Sequence, residues 1–166
     1  MSVRVDVKMT EKHMHDFMVH HNYTHASGIL GVVIGIVSLI IAVTNLSKGD
    51  LASSALWIFF ALFFLIITPF SMKKKARMQV KNNPMFQKPL ECEFTKDGVI
   101  IRQDDKEELN YWDGFTKAIS TKYSIILYFG KVRAFIFPKD SIGDKYGEVL
   151  QMIQANMPPN KVKIRL

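Results

Sequence analysis

The chain has 166 residues, of which 48% are hydrophobic, and its formal net charge is +7. Its single cysteine, Cys92, excludes an intrachain disulfide and fits a reducing compartment. The basic excess does not predict a nucleic-acid partner. Such a partner calls for a basic face with stacking aromatics or a groove-entering helix, whereas the charge here follows directly on an apolar stretch.

The N-terminal residues 1–9 alternate between apolar and polar side chains, with Val3, Val5, Val7 and Met9 on one side of the pattern. This period of two predicts a β-strand. Because a lone strand is not stable, we expect it to join the sheet formed by the later part of the chain. The intervening segment would then be an insertion within one folded unit.

Histidines are concentrated ahead of the first apolar stretch, at His13, His15, His20, His21 and His25. On a helix His21 and His25 share a face, a spacing that can hold a transition metal. The H-E-x-x-H spacing of zinc enzymes is absent, so this pair is a weak metal candidate and we expect no cofactor. The main prediction is an interfacial helix with histidines at headgroup depth, and a pH response is a further alternative.

Two uncharged apolar stretches, residues 27–46 and 51–71, are separated only by residues 47–50. A helix of about 20 residues spans the ~30 Å hydrocarbon core of a bilayer. Two helices apolar on every side would otherwise need a large protein shell, which a chain of this length cannot supply. Residues 10–83 are therefore predicted to form a helical hairpin that crosses the membrane twice.

The first apolar stretch contains Gly31 and Gly35 in a G-x-x-x-G pattern, which lets helices approach closely. The second stretch offers bulky partners, including Trp57 and several phenylalanines. Packing within the hairpin explains this pattern, and a seam between two copies in a homo-oligomer is the alternative.

A basic cluster follows the second apolar stretch and consists of Lys73, Lys74, Lys75, Arg77 and Lys81. By the positive-inside rule, both termini are predicted to be cytosolic. The cluster is also predicted to attract anionic lipid headgroups, at roughly 1 kcal/mol per basic residue near the surface. A topology signal without lipid binding is the alternative.

After Asn83 and Pro84 the pattern changes from helical to alternating, and residues 84–166 are predicted to form an antiparallel β domain. We predict strands over residues 90–94, 99–101, 107–111, 115–120, 123–129 and 132–137. An amphipathic helix over 142–157 should cover an open end of the sheet, and the alternating tail 161–166 could be an edge strand. The predicted fold class is α+β, with a membrane hairpin and a β-sheet or barrel closed by the C-terminal helix.

Candidate catalytic chemistry is sparse. The acidic residues Asp104, Asp105, Glu107 and Glu108 lack the alternating ligands of a calcium loop, so we predict a solvated hairpin tip. We find no nucleophile elbow and no glycine-rich phosphate loop, and every histidine precedes the first apolar stretch. We therefore expect no enzymatic activity.

Five different short motifs lie at separate places along the chain. They are Asn83-Pro84, Phe94-Thr95-Lys96-Asp97-Gly98, Tyr111-Trp112-Asp113, Leu127-Tyr128 and Ala134-Phe135-Ile136-Phe137-Pro138-Lys139. With the hairpin and its basic exit, they resemble the YcxB-like family of bacterial membrane proteins. The resemblance implies a protein of the bacterial cytoplasmic membrane that carries a cytosolic pleckstrin-homology-like (PH-like) domain. The family has no agreed biochemical activity.

The expected function is that of a membrane-anchored binding or regulatory protein that presents its PH-like domain at the inner leaflet. Its expected partners are membrane lipids and an unidentified protein. The alternative is that the hairpin itself acts, as a regulator of another membrane protein or as an immunity factor against a membrane-targeting toxin.

Overall fold

The protein is described by a computed structural model over residues 2–130 and 133–164. The chain divides into two compact units. Unit 1 combines the residues up to Phe17 with those from Met78 onward, and unit 2 is Met18–Arg77. Both boundaries between the units lie within helices.

Unit 2 contains the helical hairpin. Its helices are α1 (Glu11–Thr24) and α4 (Thr68–Asn82), which both continue into unit 1, together with α2 (Ala26–Ser47) and α3 (Leu51–Leu62). Asp50 begins α3 by accepting a hydrogen bond from the Ser53 amide at 3.0 Å. A π-turn at Phe63–Ile67 joins α3 to α4 just before Pro69, which cannot donate a backbone hydrogen bond.

Among the residues that the structure describes, two helices are long and apolar enough to cross a membrane, Ala26–Ser47 and Leu51–Asn82. Only 22% and 11% of their most apolar windows is buried. The helices of a soluble core would be mostly buried, so this exposed surface is typical of helices that face lipid.

The described strands of unit 1 form two four-stranded sheets. The first has the order β1 (Val3–Val7), β2 (Leu90–Phe94), β3 (Gly98–Gln103) and β4 (Lys106–Tyr111). The second has the order β7 (Arg133–Pro138), β6 (Ser124–Phe129), β5 (Phe115–Ser120) and β8 (Val162–Lys163). The first sheet is antiparallel throughout, and β1 pairs with β2 with Val5 opposite Cys92.

The predicted mixture of helices and antiparallel strands is confirmed, but the single sheet is wrong. The described strands form two sheets that do not close into one, and β8 pairs with β5 in parallel. The break falls at the 3-10 turn Trp112–Gly114, where the Trp112 indole donates a hydrogen bond to the Thr95 carbonyl at 2.9 Å. This aromatic anchor turns the chain from one sheet into the other.

The C-terminal helix is also shorter than the helix predicted over residues 142–157. A short helix α5 (Lys139–Ile142) is followed by a 3-10 turn and then by α6 (Tyr146–Asn156). Gly143 separates them with a φ of 55°, a conformation that favours glycine and interrupts a helix.

The core of unit 1 lies between the two sheets and under α6. Its buried members come from both sheets and from the helix. They include Val3, Val5, Phe94, Val99, Trp112, Phe115, Ile125, Leu127, Phe137, Val149 and Ile153. A single core that draws on residues before and after the hairpin makes unit 1 one folding unit.

Candidate functional site

An apolar cavity of about 320 Å³ lies between the two sheets of unit 1. Val7, Leu90, Cys92 and Ile101 line it from the first sheet. Residues 134–137 of β7 line the opposite side, and Met9, Met85 and Phe86 complete the lining. Since no predicted site residue lies here, the cavity is a feature that the sequence pattern did not reveal.

The polar part of the cavity is an ion pair. Of the described lining residues only Glu108 and Arg133 are charged, and Arg133 Nη1 lies 2.7 Å from Glu108 Oε1. Glu108 stands opposite Ile101 in the sheet register, and Arg133 precedes Phe135 by two residues along β7. Both charged side chains therefore project from the faces that line the cavity, and they are 56% and 59% exposed.

Cys92 forms part of the apolar wall. Burial, with smaller contributions from the charges of Asp6 and Glu91, raises the pKa of its thiol to about 12. The thiol is therefore protonated at neutral pH and unsuited to nucleophilic chemistry. Its environment is that of a desolvated apolar surface.

The predicted basic cluster is exposed on α4. Lys73, Lys74, Lys75 and Arg77 lie in unit 2 and Lys81 lies in the unit 1 part of the helix, whereas Met72 and Ala76 are buried. Lys73 and Arg77 are four residues apart and so share one face. The arrangement leaves the lysine side chains accessible to an anionic surface.

The predicted helix-packing residues occupy different places. A Cβ on Gly35 would lie 2.7 Å from Leu65 carbons, and a Cβ on Gly31 would lie 3.5 Å from Phe64. Trp57 is not among the nearest neighbours of either glycine, and its ring lies 6.0 Å from that of Phe60. Both glycines therefore pack against residues of the π-turn within the hairpin.

The weak metal candidates His21 and His25 have ring centroids 4.0 Å apart. Burial, followed by the neighbouring charges of His25 and His20, lowers the pKa of His21 from its ordinary value of 6.5. Within residues 2–130 and 133–164 no group of three or more His, Cys, Asp or Glu side chains is placed to hold a metal. Metal binding and pH response by this pair stay predictions.

His13 has a position that sequence reasoning missed. Its side chain is buried, with Nδ1 3.0 Å from Thr10 Oγ1 and Nε2 3.1 Å from Asp140 Oδ2. The Thr10 hydroxyl also accepts a hydrogen bond from the His13 backbone amide at the start of α1, as a helix cap does. The arrangement attaches α1 to α5, the short helix that follows β7. It resembles an acid–base triad only in composition, because burial leaves the imidazole no access to substrate.

The acidic residues Asp104, Asp105, Glu107 and Glu108 of the β3–β4 hairpin are all exposed, and three of them contact a basic side chain. Asp104 contacts Lys88, Glu107 contacts Arg102, and Glu108 contacts Arg133. Arg102 also donates to Glu93 at 2.8 Å. The hairpin tip is therefore exposed to solvent, as predicted, and its acidic residues Asp104, Glu107 and Glu108 are also paired with basic side chains.

The contact between Arg102 and Glu93 predicts that the folded protein loses stability in acid. Hydrogen bonds from Arg102 first, then from Ser2 and Arg4, lower the pKa of Glu93 from 4.5 to about 2. Because the folded state favours the ionised carboxylate, its stabilising effect is complete above pH 4.5 and is lost as pH falls toward 2. Urea unfolding of the full chain at a series of pH values should show this loss, and Arg102→Gln should reduce its pH dependence. An equal pH dependence in both proteins would contradict the assignment.

Comparison with known proteins gives one family match. Residues 94–153 match the model of the family described as YcxB-like protein, a segment that runs from the end of β2 into α6. No curated protein and no solved structure matches the chain significantly. The predicted resemblance to the YcxB-like family is thus confirmed over this segment, which includes the Trp112 turn, Glu108 and Arg133.

Proposed function

We propose that this chain with its YcxB-like segment is a membrane-anchored, non-enzymatic binding protein. In this proposal unit 1 is a PH-like domain held at the cytoplasmic leaflet of a bacterial membrane. The hairpin of unit 2 crosses the membrane twice, and binding rather than catalysis is the task of the cytosolic part.

The pairing of β1 with β2 carries the proposal. Val3 lies opposite Phe94 and Val7 opposite Leu90, although the whole hairpin separates the two strands in sequence. Both ends of the hairpin therefore lead into the same folded unit. If the two apolar helices cross a bilayer, they must begin and end on the same side of it.

The basic residues of α4 support the proposal that both ends of the hairpin lie on the cytoplasmic side of the membrane. The exposed cluster Lys73–Lys75 directly follows the second apolar stretch, whereas the 47–50 loop has one lysine and one aspartate. Positive residues are retained on the cytoplasmic side, where the leaflet carries anionic lipid. The cluster would then hold unit 1 close to anionic headgroups.

The arrangement of unit 1 supports a PH-like binding domain. Two sheets enclose one core, and α6 contributes Val149 and Ile153 to it. The cavity between the sheets is a concave apolar site with a charged pair, the usual character of a small-molecule site. His13 is buried and joined to Thr10 and Asp140, so it supports a structural role rather than acid–base catalysis.

The alternative function, in which the hairpin itself contacts another membrane protein, is less well supported. Its contact surface was expected around Gly31 and Gly35. Both glycines face Phe64 or Leu65 within unit 2. A partner helix at that surface would have to displace these side chains.

Lipid selectivity tests the proposed position at the membrane. The triple variant Lys73→Gln, Lys74→Gln, Lys75→Gln should co-purify about tenfold less anionic lipid per mole of protein, since each lysine contributes up to roughly 1 kcal/mol and salt screens part of it. The measurement is mass spectrometry of phospholipids bound to the full chain after purification in a mild nonionic detergent.

The matched control neutralises three exposed lysines of unit 1, Lys96→Gln, Lys106→Gln and Lys163→Gln. It changes net charge by the same amount and should retain the bound anionic lipid. Equal losses in the two variants would mean that net charge alone attracts lipid. If neither variant lost bound anionic lipid, the basic cluster would have no part in the proposal.

A further inference from the structure

The cavity between the sheets has properties that identify a class of ligand, given the proposed position at the membrane. We infer that it binds the hydrocarbon chain of a single-chain amphiphile whose anionic head pairs with Arg133. The shared chemistry is an alkyl chain ending in a carboxylate or a phosphate, as in a fatty acid or a lysophospholipid.

The size of the cavity fits one short chain. Its volume of about 320 Å³ is near the lower end of small-molecule sites. If a methylene group takes ~30 Å³, as one molecule of liquid water does, the space holds roughly ten carbons. A longer chain would extend out of the cavity.

The lining favours a ligand body without polar groups. Apart from Glu108 and Arg133, the described side chains around the cavity are all apolar or the thiol of Cys92. A polar group within the ligand body would lose water without gaining a side-chain partner, which is unfavourable. Met9 and Met85 add flexible side chains that adapt to an irregular chain.

The charged pair selects the head. Arg133 presents a planar guanidinium, which suits carboxylate and phosphate oxygens in a bidentate contact. Its partner Glu108 is more than half exposed, and exposed ion pairs contribute little stability. An anionic head can therefore replace Glu108 beside Arg133 at small cost, and the chain's net charge of +7 favours an anion.

Photo-crosslinking in a bilayer tests this site. The full chain is placed in phosphatidylcholine nanodiscs with decanoate that carries a terminal diazirine, and labelled peptides are mapped by mass spectrometry. We expect labelling of residues 85–92 and 133–137. The apolar stretches of unit 2 serve as an internal reference because the probe also partitions into the bilayer.

Substitutions at two positions define the chain and head contacts. Val7→Phe, on the face of β1 that lines the cavity, takes up part of its space and should reduce its labelling at least fivefold, with the reference peptides unchanged. Arg133→Gln should reduce labelling by the decanoate probe severalfold, and Arg133→Lys should reduce it less. Labelling by the methyl ester of the probe should be the same in both variants as in the unchanged protein. The Trp112 resonance of 5-fluorotryptophan-labelled protein, unchanged in each variant, verifies folding.

A decyl phosphate probe with the same diazirine distinguishes the two sources of the anionic head. Labelling by either probe supports the inference and identifies the preferred head. Labelled reference peptides with no cavity labelling by either probe would overturn it and leave the proposed function intact. Absence of label from the apolar stretches of unit 2 would contradict membrane insertion, and so the proposed function itself.

Discussion

Phe94→Ala is expected to reduce the free energy of unfolding of unit 1 by about 3–5 kcal/mol. The Phe94 side chain is fully buried, and its ring centroid lies 5.0 Å from that of Phe137 and 6.5 Å from that of Trp112. Truncation removes apolar contacts from both sheets at once. The space left is surrounded by strands that cannot collapse independently, because each is held by its sheet.

The measurement uses the two tryptophans of the chain, of which Trp57 lies in unit 2 and Trp112 in unit 1. Fluorine NMR of 5-fluorotryptophan-labelled protein in detergent follows both during urea unfolding. Phe94→Ala should shift the Trp112 transition and leave that of Trp57 unchanged.

Tyr111→Ala is the control for Phe94→Ala, because it truncates an exposed aromatic on β4 and should cost less than about 1 kcal/mol. A loss below 1 kcal/mol for Phe94→Ala would contradict the packing of this core.

Gly35→Ala is expected to destabilise the hairpin by about 2 kcal/mol, in spite of the helical preference of alanine. The added Cβ would lie 2.7 Å from both Cγ and Cδ2 of Leu65 and 3.2 Å from Cβ of Phe64. Because these include atoms close to the backbone of the π-turn, the helices must separate or the turn must shift. Less close packing means weaker association, since dispersion contacts dominate between apolar helices in lipid.

Gly31→Ala is the matched control because it makes the same chemical change on the same helix. Its Cβ would meet Phe64 at 3.5 Å, an ordinary van der Waals distance. We expect it to be neutral or stabilising by about 0.5–1 kcal/mol. Unfolding in a titration with sodium dodecyl sulfate, followed by the Trp57 resonance, should separate the two variants. Equal stability of the two would show that Leu65 does not contact Gly35 closely.

The hairpin and most strands could be predicted from the sequence because their signals are local. The length of an uncharged apolar stretch is enough to predict a helix that can span a membrane. Alternation over a few residues is enough to predict a strand. The strands predicted at 115–120 and 123–129 thus lie close to β5 and β6. The proline at Pro84 likewise ended the helical pattern near the observed end of α4.

The candidate site could not be predicted because its parts are brought together by strand pairing. Glu108 and Arg133 belong to different sheets, and their contact depends on how the Trp112 turn directs the chain from one to the other. The acidic residues around Glu108 suggested only a solvated turn. A charged residue at an inward position of an otherwise apolar alternation was the one available signal.

By itself, then, the sequence determined the elements: two apolar helices, a basic helix exit, a series of short strands and a YcxB-like segment. These follow from the composition and periodicity of neighbouring residues. Only the tertiary structure decided that β1 pairs with β2 across the hairpin, that His13 meets Asp140 over a separation of 127 residues, and that a cavity remains between two sheets. The physical reason is that alternation marks a strand and its buried face but carries no information about its partner, which is selected by the packing of the whole core.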